Sequence, residues 1–377
     1  MPPERRPTAL PIPTRLRSAS APSAREVVIA MVDSDFVAHP DLIQPVNRII
    51  RYVDAVRQCI PEHPPAVARD RHWHGTMTAC TAAGNGYLSR GMYTSLAPDA
   101  PLVLIRTMHD NGRIPTSTIT WALEWIAQNA SSLGIRVVNI SVYADEIDHT
   151  LRHPVNSAVE ALTAQGIVVV AAAGNNPMAP IRPPAAAPSA ITVGGLNDNN
   201  TVRRDDNVMY HSTFGITDLG MQKPDVIAPA LWLAGPLLPG TSQQRRAGAL
   251  FALDAMSDDA LCRSAARVAS AAGLEAESWS SADASLLRQS IDAAIIHEQL
   301  VAPYYKLVDG TSFAAPIVAS AVAQMIACDG SLTPARIKSI LMQTARPLSD
   351  VAPTRQGAGM VDPAAALEMV RQSGSTP

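Results

Sequence analysis

The sequence predicts an α/β fold in which helices cover both faces of a central, mostly parallel sheet. Short runs that are apolar nearly throughout alternate with segments whose apolar residues recur at helical spacing. Strands buried on both faces have this composition, and the alternation implies right-handed crossovers between parallel strands. The 377 residues are enough for one large domain of this kind. We therefore expect a three-layer α/β/α arrangement with a helical insertion.

Each predicted element follows from its local composition. Residues 116–133 and 153–165 have the apolar spacing of amphipathic helices. Near the C-terminus, residues 312–328 predict a buried helix, and two further helices follow near 334–345 and 363–372. Six runs are predicted to be strands: VVIAMVD (27–33), LVLIRTM (102–108), RVVNISV (136–142), IVVVAAA (167–173), AITVGG (190–195) and DVIA (225–228).

Two segments depart from the alternation. Residues 1–25 are rich in Pro, Arg and Ser and are expected to form a flexible N-terminal arm, which leaves 26–377 as the main domain. From about 241 to 302 the chain has Ala, Leu, Asp and Arg at helical spacing and no strand signal. We expect an insertion of two or three helices there.

Composition excludes several classes of function. A hydrophobic content of 47% with 17% charged residues is typical of a globular protein, and a net charge of −3 argues against nucleic-acid binding. The N-terminal residues lack the apolar core of a signal peptide, and no run has the length of a membrane span, so we expect a cytoplasmic protein. The scattered cysteines predict mostly free thiols, as in a reducing compartment: Cys59, Cys80, Cys262 and Cys328.

Ser312 is the first candidate for chemistry. It lies in DGTSFAAPIVAS (309–320), at the start of the predicted buried helix. Serine is a common helix N-cap, and that structural role is open. A serine in the positive field of a helix N-terminus, beside outward-pointing N–H groups, is equally suited to attack a carbonyl and stabilise the resulting oxyanion.

Asp33 and His74 are candidates for an acid and a base. Asp33 closes the first predicted strand, and His74 lies in HWHGTMTACTAAG at a predicted helix start. A turn aspartate and a structural histidine are the alternatives. His72 forms an HxH pair with His74, and such a pair makes a metal site a further alternative, although no third ligand is evident.

Asn175 completes the set. It follows the strand in VVVAAAGNN, where Gly-Asn is common in ordinary turns but where a side-chain amide could also donate into a site at the strand end. An acid, a base, a nucleophile and an amide donor are together the groups that acyl transfer requires.

These motifs, in this order, resemble the subtilisin-like serine proteases (the subtilase, or S8, family). The matching stretches extend over most of residues 26–370. They are VDS (32–34) with HPDL (39–42), HGTMTA (74–79), SLAPDAPLVLIRTM (95–108), VVNISV (137–142), VVVAAAGNN (168–176), PAAAPSAITVGG (184–195), KPDVIAP (223–229) and GTSFAAP (310–316).

The resemblance implies a serine endopeptidase that works through an acyl-enzyme and needs no cofactor for catalysis. Asp33 would orient His74, which would take the proton of Ser312. The side-chain amide of Asn175 and the backbone N–H of Ser312 would hold the oxyanion.

The resemblance also implies an extended peptide or protein as substrate. It would pair as a strand beside Ser141, Val142 and Tyr143, while Ala173 and Gly174 would form one wall of the primary pocket. With no acid evident in that pocket, we expect a preference for apolar side chains.

Calcium is common among such proteins. The spacing of Asp41 from the catalytic acid is like that of a known family ligand, and Asn85 lies in GNGYLSRGM, which resembles a calcium-binding loop. Arg90 in the same loop argues against a cation site, so a structural calcium ion stays an open expectation.

Three departures from the family pattern bear on function. Asp35 stands where Gly is common, and its carboxylate could raise the pKa of Asp33 or simply face solvent. The edge strand, which often continues Ser-Leu-Gly in the family, reads Ser141-Val142-Tyr143, and Tyr143 could narrow a subsite or fold over the peptide. The insertion at 241–302 could cap the cleft or dock a regulator, or could pack away from the site. A latent subtilase-fold protein that binds peptides, and a processing enzyme with a narrow substrate, are therefore alternatives.

Overall fold

The computed structural model describes residues 6–18, 22–145, 152–268, 272–274 and 283–373. The strands are β1 (Val28–Asp33), β2 (Ile49–Asp54), β3 (Leu102–Arg106), β4 (Ile135–Ile140), β5 (Val168–Ala172), β6 (Ile191–Asn197), β7 (Val208–Met209), β8 (Gly215–Ile216), β9 (Gln222–Lys223), β10 (Val226–Pro229), β11 (Leu233–Pro236), β12 (Leu300–Ala302) and β13 (Tyr305–Val308). The helices are α1 (Ile12–Arg15), α2 (Pro40–Ile43), α3 (Trp73–Ala83), α4 (Thr116–Leu133), α5 (Pro154–Ala164), α6 (Ser242–Asp254), α7 (Asp258–Val268), α8 (Ala284–His297), α9 (Thr311–Cys328), α10 (Pro334–Thr344), α11 (Pro353–Gln356) and α12 (Pro363–Ser373).

The central sheet confirms the predicted fold class. Its order is β2-β3-β1-β4-β5-β6-β10 with every neighbour parallel, and the short β7 pairs antiparallel with β6. In the middle of the sheet Met31 pairs with Leu104 on one side and Asn139 on the other. Parallel strands end at one common edge. Asp33, the residues after Ile140 and the residues after Ala172 therefore meet there.

Helices cover both faces of the sheet. Helices α4 and α5 bury apolar side chains such as Leu123 and Val159 against one face. Helices α3, α9, α10 and α12 pack on the other, around a cluster that includes Ala79, Val318 and Ile340. No membrane span is expected from the sequence, yet α9 is long and apolar enough to cross a bilayer by length and composition. Because 83% of that stretch is buried inside the fold, α9 has the surroundings of a core helix.

Several strands were not predicted from the sequence. In β2 the first half carries exposed side chains and Arg51, so its apolar signal is weak. Strands β11, β13 and β12 form a separate antiparallel sheet, and β12 lies at the end of the segment that was expected to be helical throughout. Helices α6, α7 and α8 precede β12 and surround a core of their own, in which Leu250 and Ile291 are fully buried.

The expectation of a flexible N-terminal arm was wrong for residues 6–18. The Arg15 side chain is buried, and its Nε donates to Asp198 Oδ2 at 2.8 Å. The next residue, Leu16, is 1% exposed within an apolar cluster that includes Phe313. Arg6 bridges Asp254 and Asp292 of the insertion. Composition alone misled because these contacts are all with residues distant in sequence.

Candidate active site

The structure brings Asp33 and His74 into direct contact. His74 Nδ1 lies 2.6 Å from Asp33 Oδ1, which also accepts from the backbone N–H of Ser34 at 2.6 Å. Asp33 Oδ2 accepts from the Thr78 hydroxyl at 2.9 Å. The carboxylate is thus held by three donors and directs Nε2 of the imidazole into the cleft. The lack of a side chain at Gly75 lets the start of α3 pack this close to the end of β1, since a Cβ there would lie 2.4 Å from the Asp35 carbonyl oxygen.

Opposing effects set the charge of His74. Burial lowers the pKa of its imidazole, but the Asp33 carboxylate, through charge and hydrogen bond, outweighs burial and raises the pKa above its ordinary value. Asp33 therefore stabilises the imidazolium that would form if His74 accepted a proton.

Ser312 lies in the first turn of α9, and Pro316 explains how its backbone is fixed. A proline lacks the N–H that would bond to the carbonyl four residues earlier, so Pro316 leaves the Ser312 carbonyl free within the helix. The Ser141 hydroxyl donates to that carbonyl at 2.9 Å and itself accepts from Asn139 Nδ2 at 3.0 Å. These bonds fix the start of α9 to the end of β4.

The Ser312 hydroxyl donates to the Ser141 carbonyl oxygen at 3.4 Å. Within the described chain it makes no hydrogen bond to His74, although both side chains line the same cleft. A bond of 3.4 Å is long and therefore weak, and catalytic hydrogen bonds often tighten only when substrate binds.

Asn175 is oriented by Thr311. Its Oδ1 accepts from the Thr311 backbone N–H at 2.8 Å and from the Thr311 hydroxyl at 3.0 Å. Because an N–H can only donate, this contact fixes the carbonyl oxygen of the amide and leaves Nδ2 on the other side. Among the described residues neither Asn175 Nδ2 nor the backbone N–H of Ser312 has an acceptor.

The candidate residues surround a cleft of about 560 Å³. Beside Asn175, the cleft is lined by groups from the ends of β1 and β4, from the start of α3 and from α9. Its lining includes Ser34, Trp73, His74, Ser141, Val142, Tyr143, Asp145, Ser312 and three arginines, Arg71, Arg113 and Arg182.

The residues predicted to bind substrate differ in their placement. Tyr143 is 56% exposed at the mouth of the cleft, whereas Val142 is mostly buried behind it. Ala173 and Gly174, which were also predicted to contact substrate, are not among the residues that line the cleft. The backbone of Gly174 is engaged, since its N–H donates to the Thr311 hydroxyl and its carbonyl accepts from Thr213.

Asp35 does not face solvent, which overturns one of its two sequence-based interpretations. It is fully buried, accepts from the Tyr52 hydroxyl at 2.9 Å, and lies 3.0 Å from Arg71 Nε and 3.4 Å from Arg106 Nε. Two guanidinium groups thus balance its charge. His72 also faces Asp35, at 3.5 Å, so it points away from the carboxylate that His74 contacts.

The residues expected to bind calcium have protein partners. Asp41 Oδ1 accepts from the Leu88 N–H at 2.9 Å and Oδ2 from the Tyr305 hydroxyl at 2.6 Å. Asn85 Oδ1 accepts from the Tyr87 N–H at 3.0 Å. The Arg48 guanidinium donates to the carbonyl oxygens of Asp41 and Ala83. The side-chain oxygens expected to bind calcium thus accept from protein donors, and Arg48 brings a positive charge to the neighbouring backbone carbonyls, so the donor set fits a cation poorly.

Thr78 and Thr311 were not predicted from the sequence to be part of the site. Both lie within motifs that were recognised, HGTMT and DGTS, one helical turn or one residue away from a candidate. The i, i+4 spacing of His74 and Thr78 on one helix face was the available signal.

Comparisons with known proteins agree on one family. The sequence model of the "Subtilase family" matches residues 24–359. Serine protease AprX of Bacillus subtilis (strain 168) is 33% identical over 224 residues, which are 57% of this chain and 49% of AprX. Subtilisin BL of Lederbergia lenta is 30% identical over 197 residues, 50% of this chain and 65% of that protein. The chain thus spans only about half to two thirds of these relatives.

Solved structures agree on the fold. The structure titled "S41 Psychrophilic Protease" superposes with a TM-score of 0.64 at 19% identity, over 94% of this chain and 98% of that one. Fervidolysin from Fervidobacterium pennivorans, titled "a keratinolytic enzyme related to subtilisin", gives 0.60 at 20% identity over 92% of this chain and 43% of that one.

Proposed function

The chain belongs to the subtilase family, and we propose that it is a serine endopeptidase in which Ser312 is the nucleophile. One observation carries the proposal. Beside the Ser312 hydroxyl, two hydrogen-bond donors, Asn175 Nδ2 and the Ser312 N–H, have no acceptor among the described residues. Donors held ready for a charge that is absent in the resting state are what oxyanion stabilisation requires.

The proposed reaction follows from the contacts. His74 Nε2 takes the proton as Ser312 Oγ attacks the scissile carbonyl carbon, and Asp33 stabilises the imidazolium. The oxyanion accepts from Asn175 Nδ2 and the Ser312 N–H. His74 then gives the proton to the leaving amine as the peptide C–N bond breaks, which leaves an acyl-enzyme. Water, deprotonated by His74, hydrolyses that ester and restores Ser312.

Hydrolysis of an unfolded protein tests this proposal. We expect wild type to cleave reduced, carboxymethylated casein and Ser312→Ala to lose on the order of 10⁶-fold in rate. Ser331→Ala is the matched control, because Ser331 is exposed and bonds only to Asp329 in the described chain. Equal cleavage by wild type and Ser312→Ala would show that another protein in the preparation is responsible.

A latent peptide-binding protein is the second candidate, favoured by the bond of the Ser312 hydroxyl to Ser141. In the resting state the Ser312 hydroxyl therefore donates to Ser141 and not to His74. Binding of a casein peptide with no turnover and no acyl-enzyme, detected by mass spectrometry under single-turnover conditions, would favour latency.

We further propose that the insertion borders the cleft on one side. Thr241 and Gln243, at the start of α6, line a second pocket of about 420 Å³ together with Phe313, which follows Ser312. Trp73 lines both this pocket and the cleft. A partner or regulator bound to α6 would therefore lie next to the substrate. Filling the pocket by Gln243→Trp should slow cleavage of casein; an unchanged rate would count against this placement.

The contacts around Asp41 favour a site in which protein groups, and not a calcium ion, are the partners of its carboxylate oxygens. We propose that Arg48 provides there the positive charge that a cation would otherwise supply. No step of the proposed reaction involves a metal ion.

A further inference from the structure

Three arginines line the cleft, and two of them are already paired. Arg71 Nη1 donates to Asp110 at 2.8 Å, and Arg113 Nη2 donates to Asp145 at 3.1 Å. Among the described residues no carboxylate pairs with Arg182. Arg182 therefore brings an uncompensated positive charge to the cleft.

The position of Arg182 is well defined by its neighbours. Ile181, just before it, is buried against Ala173 at the end of β5. The carbonyl of Pro183, just after it, accepts from the Ala144 N–H at 3.0 Å. The guanidinium carbon lies 5.1 Å from the centre of the Tyr143 ring. Arg182 thus bridges the two chain segments that flank the substrate cleft.

This contact leaves the hydrogen-bonding capacity of Arg182 free. A guanidinium over an aromatic face keeps its N–H groups in its own plane, where a carboxylate can accept two of them. Asp145, the acid that lines the same cleft, is engaged elsewhere, since its Oδ1 accepts from the Thr116 N–H and hydroxyl and its Oδ2 from Arg113. Arg182 is consequently available to a charge on the substrate.

We propose that Arg182 recognises an acidic side chain of the substrate, the Asp or Glu that contributes the scissile carbonyl. This residue has its carbonyl between Ser312 and Asn175, and Arg182 lines the same cleft as both. The inference rests on the proposed protease function and replaces the apolar preference that the sequence suggested. An ion pair at a half-buried cleft position discriminates a carboxylate from its neutral isostere by about 10-fold.

Three fluorogenic peptides that differ only at that residue, Glu, Gln or Leu, test the proposal. Wild type should show kcat/KM about 10-fold higher for Glu than for Gln, and the difference should shrink as salt is raised. Arg182→Gln should remove the difference and Arg182→Glu should reverse it. The matched control is Arg355→Gln, because Arg355 lies in the same way over a ring, that of Phe214, outside the cleft lining.

Two readouts separate this inference from the proposed function. Peptide affinity measured on Ser312→Ala compares Glu with Gln without turnover. Equal affinity and equal kcat/KM for Glu and Gln, or a Glu preference that survives in Arg182→Gln, would overturn the role of Arg182 and leave the protease function standing. Absence of turnover in wild type, with a Glu preference in binding that Arg182→Gln abolishes, would overturn the protease function and leave the recognition standing.

Discussion

Replacing Asn175 tests whether its amide acts on the transition state. In the resting structure Asn175 Nδ2 donates to no described acceptor, whereas Oδ1 accepts twice from Thr311. An interaction made only with the oxyanion contributes to kcat and leaves substrate binding unchanged. Asn175→Leu, which has a similar shape, should therefore lower kcat with little change in KM.

The magnitude follows from one lost donor. Loss of a single oxyanion donor costs about 10²–10³ in kcat, which corresponds to roughly 3–4 kcal/mol of transition-state stabilisation. The two bonds from Thr311 are worth about 1 kcal/mol each, so Asn175→Leu should also lower the free energy of unfolding by about 2 kcal/mol. Asn175→Asp keeps both acceptor contacts but cannot donate, which separates these two effects.

Steady-state kinetics on a fluorogenic peptide, together with urea unfolding, measures both quantities. Both variants should lose kcat, while Asn175→Asp should retain more of the wild-type stability. A rise in KM at unchanged kcat would refute the reasoning, because it would place Asn175 in ground-state binding.

Three further predictions rest on other contacts. Because Asp33 raises the pKa of His74 and His74 must be neutral to accept a proton, kcat/KM should fall as pH drops through a value above 6.5. Asp33→Asn should lower kcat by about 10⁴ and move this inflection to lower pH. An inflection that does not move would contradict the assignment of Asp33 as the partner of His74. Arg15→Met leaves Asp198 buried without its partner and should cost about 3–5 kcal/mol in urea unfolding, a loss that a flexible arm would not show. EDTA should leave Tm unchanged, whereas Arg48→Met should lower it; a fall of several degrees with EDTA would contradict the role of Arg48.

The fold was predictable where local sequence determines it. The buried strands β1, β3, β4, β5, β6 and β10 are apolar runs, and α4, α5 and α9 have clear helical spacing, so each follows from composition. Strand β2 was missed because half of it is exposed, and α1 was missed because Arg15 becomes buried only through Asp198, 183 residues away. Such non-local pairing leaves no periodic signal.

The candidate site shows the same division. Asp33, His74, Asn175 and Ser312 each lie at a strand end or helix start that the sequence marks, and the structure brings all four to one edge of the sheet. The sequence does not indicate which donor pairs with which acceptor, so the contact of Thr311 with Asn175 was not predicted. The contact of Arg48 with the carbonyl oxygens of Asp41 and Ala83 depends on the path of its side chain, which sequence spacing does not encode.

The most direct test of the central claim is labelling by a fluorophosphonate probe, which forms a covalent bond only with an activated serine. Wild type should be labelled at Ser312, and Ser312→Ala and His74→Ala should not be labelled although both remain folded. Failure of folded, monodisperse wild type to react, or labelling that persists in Ser312→Ala, would contradict the claim that Asp33, His74 and Ser312 form an active catalytic centre.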